Sequence, residues 1–324
     1  MNIGKTLLQS SLWILFSTFA AFAQFAPGSD YPAQTIKIVV PFSAGSNTDI
    51  LARSIADKLA SQWKQAVIVE NKPGIAGTVA AANSAPDGYT LMLTSNGHAI
   101  IKLLNKDVGI DPITAFTGVT EVASIPMVLI VPPNSSATNL SELFAMAKDK
   151  PGTLNFASAG LASSAYLAAE LLKQTAKIDM VHVPYKGTPE QLTSVIRGDA
   201  HMAMAFVGTA LGLIQSGQVR ALAVAGPQRY PSLPNVPTFA EAGFPQYQYD
   251  SWFGIFVPAK TSAAIVRKLN EAITSILRNP DIQKQWETIS AVPVLTTPEQ
   301  FDQTVKTDAD RYAKLFEAAH IDTK

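Results

Sequence analysis

Cysteine is absent from the 324-residue sequence, and this absence restricts both the stability and the chemistry of the protein. No disulfide framework can form, so the fold must be stabilised by a buried core, which suits a chain of this length. Thiolate catalysis and cysteine-based metal sites are excluded. A lipoprotein anchor is excluded as well, because there is no cysteine to carry the lipid.

Histidine is scarce, and the common catalytic and metal-binding motifs are missing. Three of the four histidines lie in or beside apolar runs and the fourth is near the C-terminus, so all are interpreted as structural: His98, His182, His201 and His320. The sequence has no H-E-x-x-H motif and no G-x-G-x-x-G phosphate fingerprint. The segment from Gly160 to Ser164 lacks the spacing of a G-x-S-x-G nucleophile elbow. We therefore predict no metal, no cofactor and no catalytic residue, and an exported hydrolase is the least favoured hypothesis.

Neither sign of charge dominates the sequence. The 25 Lys and Arg residues balance the 25 Asp and Glu residues, and the net charge becomes −1 once Lys5 is removed with the N-terminal leader. No basic stripe suggests a nucleic-acid partner. Beyond the leader, no apolar run is long enough to span a bilayer.

The first 23 residues have the pattern of a cleaved secretory signal. Lys5 supplies a basic n-region, the apolar run from Leu12 to Phe22 supplies the h-region, and Ala21-Phe22-Ala23 supplies an A-x-A site. We therefore predict cleavage after Ala23 and an exported protein. A membrane anchor is the alternative, but the run is shorter than the ~20 residues of a comfortable span.

Apolar, β-branched segments alternate with amphipathic helical segments along the mature chain. An example is the helix whose apolar face repeats every four residues from Leu51 to Trp63. Strands are predicted at 35–42, 66–69, 89–94, 127–131, 153–157, 180–183, 203–206, 219–225 and 252–257. This alternation predicts an α/β fold with mostly parallel sheets flanked by helices.

The pattern starts twice, once after the leader and again after Pro126, which indicates two similar halves. The two helices that follow the last predicted strand are expected to pack back on the first half. The predicted division is domain 1 at 24–126 and 254–324 and domain 2 at 127–253, with crossover strands near Val128 and Phe253.

Each half contains a turn of small residues between the end of a strand and the start of a helix. The first turn runs from Pro41 to Asp49 and the second from Ala157 to Ser164. Free backbone N–H groups and the positive end of the helix dipole meet at such a turn and suit a carboxylate or phosphate. Small residues also occur simply to make tight turns, and a single such turn favours that interpretation. Two turns in matching places make a ligand site at this edge of the sheets an equal alternative.

Three charged residues near these turns are interpreted without a direct ligand contact. Asp49 and Arg53 are four residues apart and are expected to form an ion pair on the first helix rather than a catalytic couple, with a direct ligand contact by Arg53 as the less favoured alternative. Lys186 could meet an anionic ligand, but a solvated loop lysine is the favoured interpretation.

Seven segments spread in order over the mature chain form a recognisable set. They are Ile38–Phe42 with Asp49 and Ala52-Arg53, Val69–Gly74, Pro86–Leu91, Val183–Gly187, Gly217–Val224, Pro234–Gly243 and Trp252–Gly254. Together they resemble the substrate-binding receptors of tripartite tricarboxylate transporters, the Bug family. The resemblance implies a two-domain, type II-like periplasmic binding protein fold. It also implies that a small carboxylate is enclosed between the domains by N–H groups of the two turns and ordered water, and is delivered to membrane permease subunits.

Three positions depart from the family pattern. The first turn carries hydroxyls at Ser43 and Ser46 instead of being Pro/Gly-rich, which suggests additional hydrogen bonds to the ligand. Tyr166 stands where the family usually has His, and it either stacks on an aromatic or apolar ligand or packs between helices. Val207 stands where many relatives have a small or acidic residue, and a ligand-facing valine would argue against an amino group on the ligand.

The resulting hypothesis is a monomeric, non-catalytic periplasmic receptor for a small organic carboxylate, with a dicarboxylate and an aromatic carboxylate both open. The predicted ligand-binding residues are Phe42, Ser43, Ala44, Ser46, Thr48, Asn96, Ser158, Ala159, Gly160, Ser163, Ser164, Tyr166, Tyr185 and Val207. The alternative is a sensing protein that presents its ligand-bound state to a membrane sensor kinase.

Overall fold

A computed structural model of the protein describes residues 31–161 and 163–318. The predicted leader, its cleavage site after Ala23 and His320 lie outside the described residues. The strands are β1 (Ile36–Val40), β2 (Val67–Asn71), β3 (Thr90–Ser95), β4 (Phe116–Ser124), β5 (Met127–Val131), β6 (Asn155–Ser158), β7 (Val181–Pro184), β8 (Met202–Phe206), β9 (Arg220–Ala225), β10 (Trp252–Pro258) and β11 (Val292–Pro293).

The helices connect these strands in an alternating order. They are α1 (Asn47–Trp63), α2 (Ile75–Ala82), α3 (Ile101–Leu104), α4 (Leu140–Asp149), α5 (Ser164–Ala176), α6 (Thr188–Arg197), α7 (Val207–Gln215), α8 (Ala263–Leu277), α9 (Pro280–Glu287) and α10 (Pro298–Ala318), with a short 3-10 helix at Asn96–Ile100. Within the ranges described, no helix has both the length and the apolar character that a membrane crossing would require.

The strands form two sheets. The first has the order β11-β4-β10-β3-β1-β2 and the second the order β7-β6-β8-β5-β9. In the first sheet β1 pairs in parallel with β2 and β3, and in the second β6 pairs in parallel with β7 and β8. These parallel pairs are the ones joined through helices, as a parallel connection requires.

Both sheets are mixed, whereas the periodicity predicted mostly parallel ones. β10 runs antiparallel between β3 and β4, and β5 runs antiparallel between β8 and β9. Each of these two strands follows directly after the chain has passed from the other sheet. The chain therefore enters the new sheet at the edge where that sheet's parallel strands end. The first strand after the passage must run in the direction opposite to those parallel strands.

β4 is a strand that the apolar pattern does not predict. Polar residues interrupt its sequence, yet Thr120 and Glu121 are buried because β4 lies between β10 and β11. The hydroxyl of Thr120 finds a partner in the carbonyl of Thr296 at 3.1 Å. The segment reads as a loop because these buried polar groups are satisfied by contacts distant in sequence.

The two passages between the sheets lie side by side. The chain leaves β4 through Ile125 and Pro126, and it returns to β10 through Asp250 and Ser251. The Ile125 N–H donates to the Ser251 carbonyl at 3.1 Å. The two sheets are thus joined by a narrow, hydrogen-bonded pair of segments.

Each sheet packs its own helices. In the first sheet, Leu51 and Ile55 of α1 are fully buried and share a core with Leu269 of α8. In the second sheet, Leu143 of α4 and Leu167 of α5 belong to a separate core. The predicted amphipathic helix at Leu51 to Trp63 therefore places its apolar stripe against the sheet, as its spacing requires.

The C-terminal helix α10 contacts both halves of the molecule. Phe301 and Val305 near its start are buried with residues of the first sheet. Tyr312 and Phe316 near its end are buried in the core of the second sheet. α10 therefore packs against both sheets and bridges them.

Candidate functional site

The turn between β1 and α1 is anchored by the buried carboxylate of Asp49. It accepts hydrogen bonds from the Gly45 N–H at 2.9 Å, the Asn71 amide at 2.9 Å and Arg53 Nε at 3.0 Å. Burial alone would raise the pKa of Asp49, but these hydrogen bonds, that from Arg53 most, outweigh it and lower the pKa below its ordinary value. Ser46 caps α1 by accepting from the Asp49 N–H at 3.2 Å.

The turn between β6 and α5 is anchored by hydroxyl groups. Ser158 Oγ accepts from the Gly160 N–H at 3.1 Å and lies 2.7 Å from His182 Nε2. Ser163 caps α5 by accepting from the Tyr166 N–H at 3.2 Å, and it donates to the Gly160 carbonyl at 2.6 Å. Gly160 has a φ of +113°, which side-chain-bearing residues rarely adopt, so this turn requires a glycine.

The Ser158–His182 pair has the contact distance of a hydrolase dyad but not its surroundings. Ser158 is fully buried, and within the described residues no carboxylate is hydrogen bonded to His182. Burial, and to a smaller extent the charge of Lys173, lowers the pKa of His182 to about 4. A catalytic pair needs an accessible nucleophile and a third group that orients the base. The pair instead holds the second turn in shape.

The two turns face each other across a cleft of about 330 Å³. The lining residues are Pro41, Phe42 and Ser43 after β1; Ala159, Gly160, Leu161 and Ser163 after β6; Pro73, Gly74, Ile75 and Thr78 around the start of α2; Thr94, Gly97, His98 and Ile101 at and after the end of β3; and Tyr185 and Lys186 after β7. The cleft lies at the carboxyl ends of these strands, which is the edge where α/β sheets bind ligands. Its volume falls in the range of small-molecule sites.

The cleft offers positive rather than negative electrostatic potential. Among the described residues that line it, none carries a carboxylate, and Lys186 carries the single formal charge at neutral pH. Burial lowers the pKa of His98 to about 4, so this ring is neutral. The starts of α1 and α5 also point their helix dipoles toward this edge. The arrangement suits an anion.

Six of the fourteen predicted ligand-binding residues line the cleft. They are Phe42, Ser43, Ala159, Gly160, Ser163 and Tyr185. The sequence reasoning missed Thr94 and His98, although it selected Asn96 between them. Side chains of neighbouring residues point in different directions, so a strand end predicts the segment but not the side chain that reaches the ligand.

Asn96 and Ser164 lie behind the cleft in a buried hydrogen-bond network. Asn96 Nδ2 donates to the Tyr249 hydroxyl at 2.7 Å, Tyr249 donates to the Ser164 carbonyl at 2.8 Å, and the Ser164 hydroxyl donates to Asn96 Oδ1 at 2.7 Å. The ring of bonds is closed, and the Tyr312 hydroxyl lies 3.3 Å from Asn96 Nδ2. Because Asn96 follows β3 and Ser164 begins α5, the network joins the two sheets.

The other predicted residues are also absent from the lining. Tyr166 is 3% exposed and packs between Phe156 and His182 of the second sheet and Phe316 of α10, so it is a core residue and does not face the cleft. Val207 is fully buried in the second half, because it starts α7 and faces that half's core.

Four residues of the two turns serve the turns themselves. Ser46 is occupied as the cap of α1 and Ser158 by Gly160 and His182. Thr48 is buried in the first turn of α1, whereas Ala44 is exposed to solvent outside the cleft. Hydroxyl-rich turns therefore use part of their hydrogen-bonding capacity on their own backbone.

No metal centre competes with this interpretation in the part of the chain that the structure describes. Those residues contain no group of three or more His, Asp or Glu side chains placed to hold a metal ion.

The family model for the tripartite tricarboxylate transporter family receptor matches residues 51–321. Among solved structures, the periplasmic binding protein BugD is 29% identical, with a TM-score of 0.80 over 91% of this chain and 100% of that chain. Its similarity confirms the predicted two-domain periplasmic binding protein fold.

Two further similar structures contain carboxylates. The R. palustris protein Rpa4515 with adipate is 32% identical, with a TM-score of 0.81 over 90% of this chain and 99% of that chain. MatC from Rhodopseudomonas palustris with bound malate is also 32% identical, with a TM-score of 0.78 over 88% of this chain and 99% of that chain.

Proposed function

This chain belongs to the tripartite tricarboxylate transporter receptors, a family of periplasmic solute-binding proteins and not of enzymes, and we propose that it captures a small organic carboxylate in the cleft between its two turns. One observation supports this proposal above all others. Two turns that each precede a helix face each other across a cleft, and the described residues that line this cleft include no carboxylate. Backbone N–H groups at helix starts bind anions without needing an arginine.

The proposed contacts follow from the walls of the cleft. The backbone and hydroxyl of Ser43, with the backbone of Ala159, hold one carboxylate, while Phe42 and Tyr185 form apolar walls. Gly160 and Ser163 also line the cleft, but they use their hydrogen bonds to shape the second turn. Seven of the predicted residues outside the lining support the turns and the packing around them, and the eighth, Ala44, is exposed to solvent. The seven are Ser46, Thr48, Asn96, Ser158, Ser164, Tyr166 and Val207.

Lys186 makes a dicarboxylate the favoured ligand class. Lys186 is exposed at the cleft, and among the described lining residues it alone carries a formal charge at neutral pH. A second carboxylate on the ligand would lie within reach of its ammonium group, whereas a monocarboxylate would use the turns alone. The adipate and malate found in the two similar structures are both dicarboxylates.

Closure of the two halves on the ligand would provide the state that a membrane transporter recognises. We propose that domain 1 (24–126 and 254–324) and domain 2 (127–253) move about the paired passages at Ile125 and Ser251. Hinge motion about a few element-terminal residues is the usual mode for binding proteins that enclose a ligand. The closed receptor then delivers its carboxylate to the permease subunits of a tripartite transporter.

Calorimetric titration of the mature protein tests the ligand class. The protein should be unfolded and refolded first, so that any ligand retained from the cell is removed. Succinate, malate, glutarate, adipate, butyrate and benzoate form a suitable panel, and we expect binding of at least one dicarboxylate at micromolar concentration. Absence of binding to every member would contradict the proposal.

The membrane partner can be identified by capture from membranes with and without ligand. Recovery of permease subunits in the presence of the bound carboxylate supports delivery. Recovery of a sensor kinase instead would favour the sensing alternative, in which the same closed state is read as a signal.

The periplasmic location requires that the leader be removed. We propose cleavage after Ala23, which leaves Gln24 as the first residue of the mature protein. N-terminal sequencing of the exported protein checks this, and a different first residue would correct the proposed site.

A further inference from the structure

His98 is a buried residue in the lining of the cleft, and one of its ring nitrogens has no hydrogen-bond partner among the described residues. The residue lies in the 3-10 helix after β3, is 1% exposed, and packs its ring 4.7 Å from that of Phe256 and 5.3 Å from that of Phe116. It also belongs to the lining of the cleft. The Nδ1 atom has no hydrogen-bond partner among the described residues.

The contact of the other nitrogen determines what Nδ1 can do. His98 Nε2 lies 3.0 Å from the Pro112 carbonyl, and a carbonyl oxygen can only accept. The proton must therefore be on Nε2, which leaves Nδ1 with a lone pair. Burial lowers the pKa of His98 to about 4, so the ring stays neutral at pH 7 and Nδ1 remains an acceptor.

An unpaired buried acceptor is costly, and native structures usually supply a partner. The two ring nitrogens point to opposite sides of the imidazole, so Nδ1 faces away from Pro112. His98 lines the cleft together with Thr94 and Gly97. A ligand in the cleft is therefore the candidate source of the missing hydrogen.

Three kinds of ligand group can be compared as the hydrogen-bond donor to Nδ1: a carboxyl group, an ammonium group and a hydroxyl group. A carboxylate oxygen has no proton to donate, and a carboxylic acid would be ionised at neutral pH. An ammonium group would enter a cleft with Lys186 and no described carboxylate to pair it, which is unfavourable for a buried cation. A hydroxyl group is neutral and donates one hydrogen bond.

We propose that His98 Nδ1 accepts a hydrogen bond from a hydroxyl of the bound carboxylate, so that the receptor selects hydroxycarboxylates over analogues without the hydroxyl. This inference rests on the proposed function, because it assigns a second feature to the ligand of the same cleft. A site built to pair with a substrate hydroxyl rejects the analogue that lacks it, because its own polar group is left buried and unpaired.

Matched ligand pairs test the selectivity directly. Titration of the refolded mature protein with succinate against malate, and with glutarate against 2-hydroxyglutarate, compares ligands that differ by one hydroxyl. We expect the hydroxylated member of at least one pair to bind about tenfold more tightly or better. Equal affinities in both pairs would overturn the inference and leave the proposed function intact, whereas no binding of any member would overturn both.

Two substitutions separate ligand contact from structural support. In His98→Gln the amide lies near the position of Nε2 and can keep the bond to Pro112, but the acceptor at Nδ1 is lost. In His98→Asn the side-chain oxygen lies near the position of Nδ1, and the bond to Pro112 is lost. We expect His98→Gln to lose the preference for the hydroxylated ligand and His98→Asn to retain it, even though His98→Asn is the less stable variant. The opposite pattern would mean that His98 is only structural.

A measurement on the unsubstituted protein avoids any folding defect. The ¹⁵N resonance of an unprotonated histidine nitrogen moves upfield when it accepts a hydrogen bond. We expect the Nδ1 resonance of His98 to move on addition of the hydroxylated ligand and to stay in place with its partner that lacks the hydroxyl, while Nε2 changes little. An unmoved Nδ1 resonance in the saturated complex would contradict the inference.

Discussion

The first turn is anchored by an ionised carboxylate, whereas the second is anchored by hydroxyl groups and a neutral imidazole. Asp49 draws together Gly45 of the turn itself, Asn71 of β2 and Arg53 of α1. The corresponding position behind the second turn is occupied by Ser158 and its contact with His182. The two turns that form opposite walls of the cleft are thus held in shape by different groups, an ionised carboxylate in one and neutral hydrogen-bonding groups in the other.

The difference shows how the proposed anion site tolerates a buried carboxylate. The charge of Asp49 is paired with that of Arg53 at 3.0 Å, so the pair adds no net charge behind the first turn. The second turn has no such cation–anion pair among its described contacts and needs none, because its anchors are neutral. Neither arrangement therefore opposes the helix dipoles that face the cleft.

The largest expected effect comes from removing the ionic anchor. Asp49→Ala leaves the Gly45 N–H, the Asn71 amide and Arg53 without their acceptor, and we expect a loss of about 3 kcal/mol in the free energy of unfolding. Urea denaturation of the variant measures this loss. Asp57→Ala, an exposed position on the same helix, serves as the matched control and should change stability by less than about 0.5 kcal/mol. Equal stabilities of the two variants would mean that the first turn does not depend on its carboxylate.

The contribution of Asp49 should also depend on pH. Its pKa is lowered in the folded state, so its stabilising effect is complete above the unfolded value of about 3.9 and is lost as the pH falls through the folded pKa. The stability difference between the parent protein and Asp49→Asn should therefore be constant from about pH 5 to 7 and shrink at lower pH. A difference that does not shrink would exclude the charge as its cause.

A somewhat smaller effect is expected from the network that couples the two sides. Asn96→Ala removes the partners of Tyr249 and Ser164 in a buried setting, with an expected loss of about 2 kcal/mol in the free energy of unfolding. Asn83→Ala, at an exposed helix end, is the control. If Asn96→Ala is no worse than its control, the contact between the sheets is not what holds the second turn.

The neutral anchor of the second turn should contribute less than the ionic one. Ser158→Ala leaves the Gly160 N–H and one nitrogen of His182 without a partner, and we expect a loss of about 1.5 kcal/mol in the free energy of unfolding. Ser141→Ala, exposed on α4, controls for the loss of a hydroxyl. A loss as large as that of Asp49→Ala would remove the distinction between the two anchors.

The smallest effect is expected at the rim of the cleft. Lys186→Met should weaken binding of a dicarboxylate about threefold without weakening a monocarboxylate, because an exposed ion pair contributes little. Lys148→Met, on an exposed site of α4, is the control. Calorimetry of both ligand classes measures the ratio, and an equal loss for both would assign Lys186 to general attraction of anions.

The fold was more predictable from the sequence than the site. Strands such as β1 and β5 are continuous apolar runs, and α1 carries a regular apolar stripe, so their local patterns agree with their burial. β4 was not predicted because Thr120 and Glu121 are polar, and their burial depends on contacts with residues distant in the sequence. The antiparallel direction of β10 could not be predicted either, because it depends on which edge the returning chain meets.

Within the site, the sequence predicted the two turns. It did not predict which residues of the turns line the cleft and which ones form hydrogen bonds inside the protein. Ser43 and Ser163 line the cleft, but the Ser163 hydroxyl is bonded within its own turn, and Ser158 and Ser164 turn their hydroxyls to buried partners. All four are small polar residues near a helix start, and no local pattern distinguishes them. His98 was interpreted as structural because its position is apolar, yet its unpaired nitrogen became visible from the contacts of the folded chain.

The sequence by itself determined that the protein needs no disulfide, that it is an α/β chain of two similar halves, and that each half has a turn suited to an anion. These properties follow from composition and periodicity, which act locally. The tertiary structure decided that the two turns face one cleft, that the ionic anchor belongs to one and the neutral anchor to the other, and that Asn96 joins the halves instead of lining the cleft. Those outcomes depend on the direction of each side chain and on contacts between residues up to 216 positions apart, such as Asn96 and Tyr312, which only the packed chain brings together.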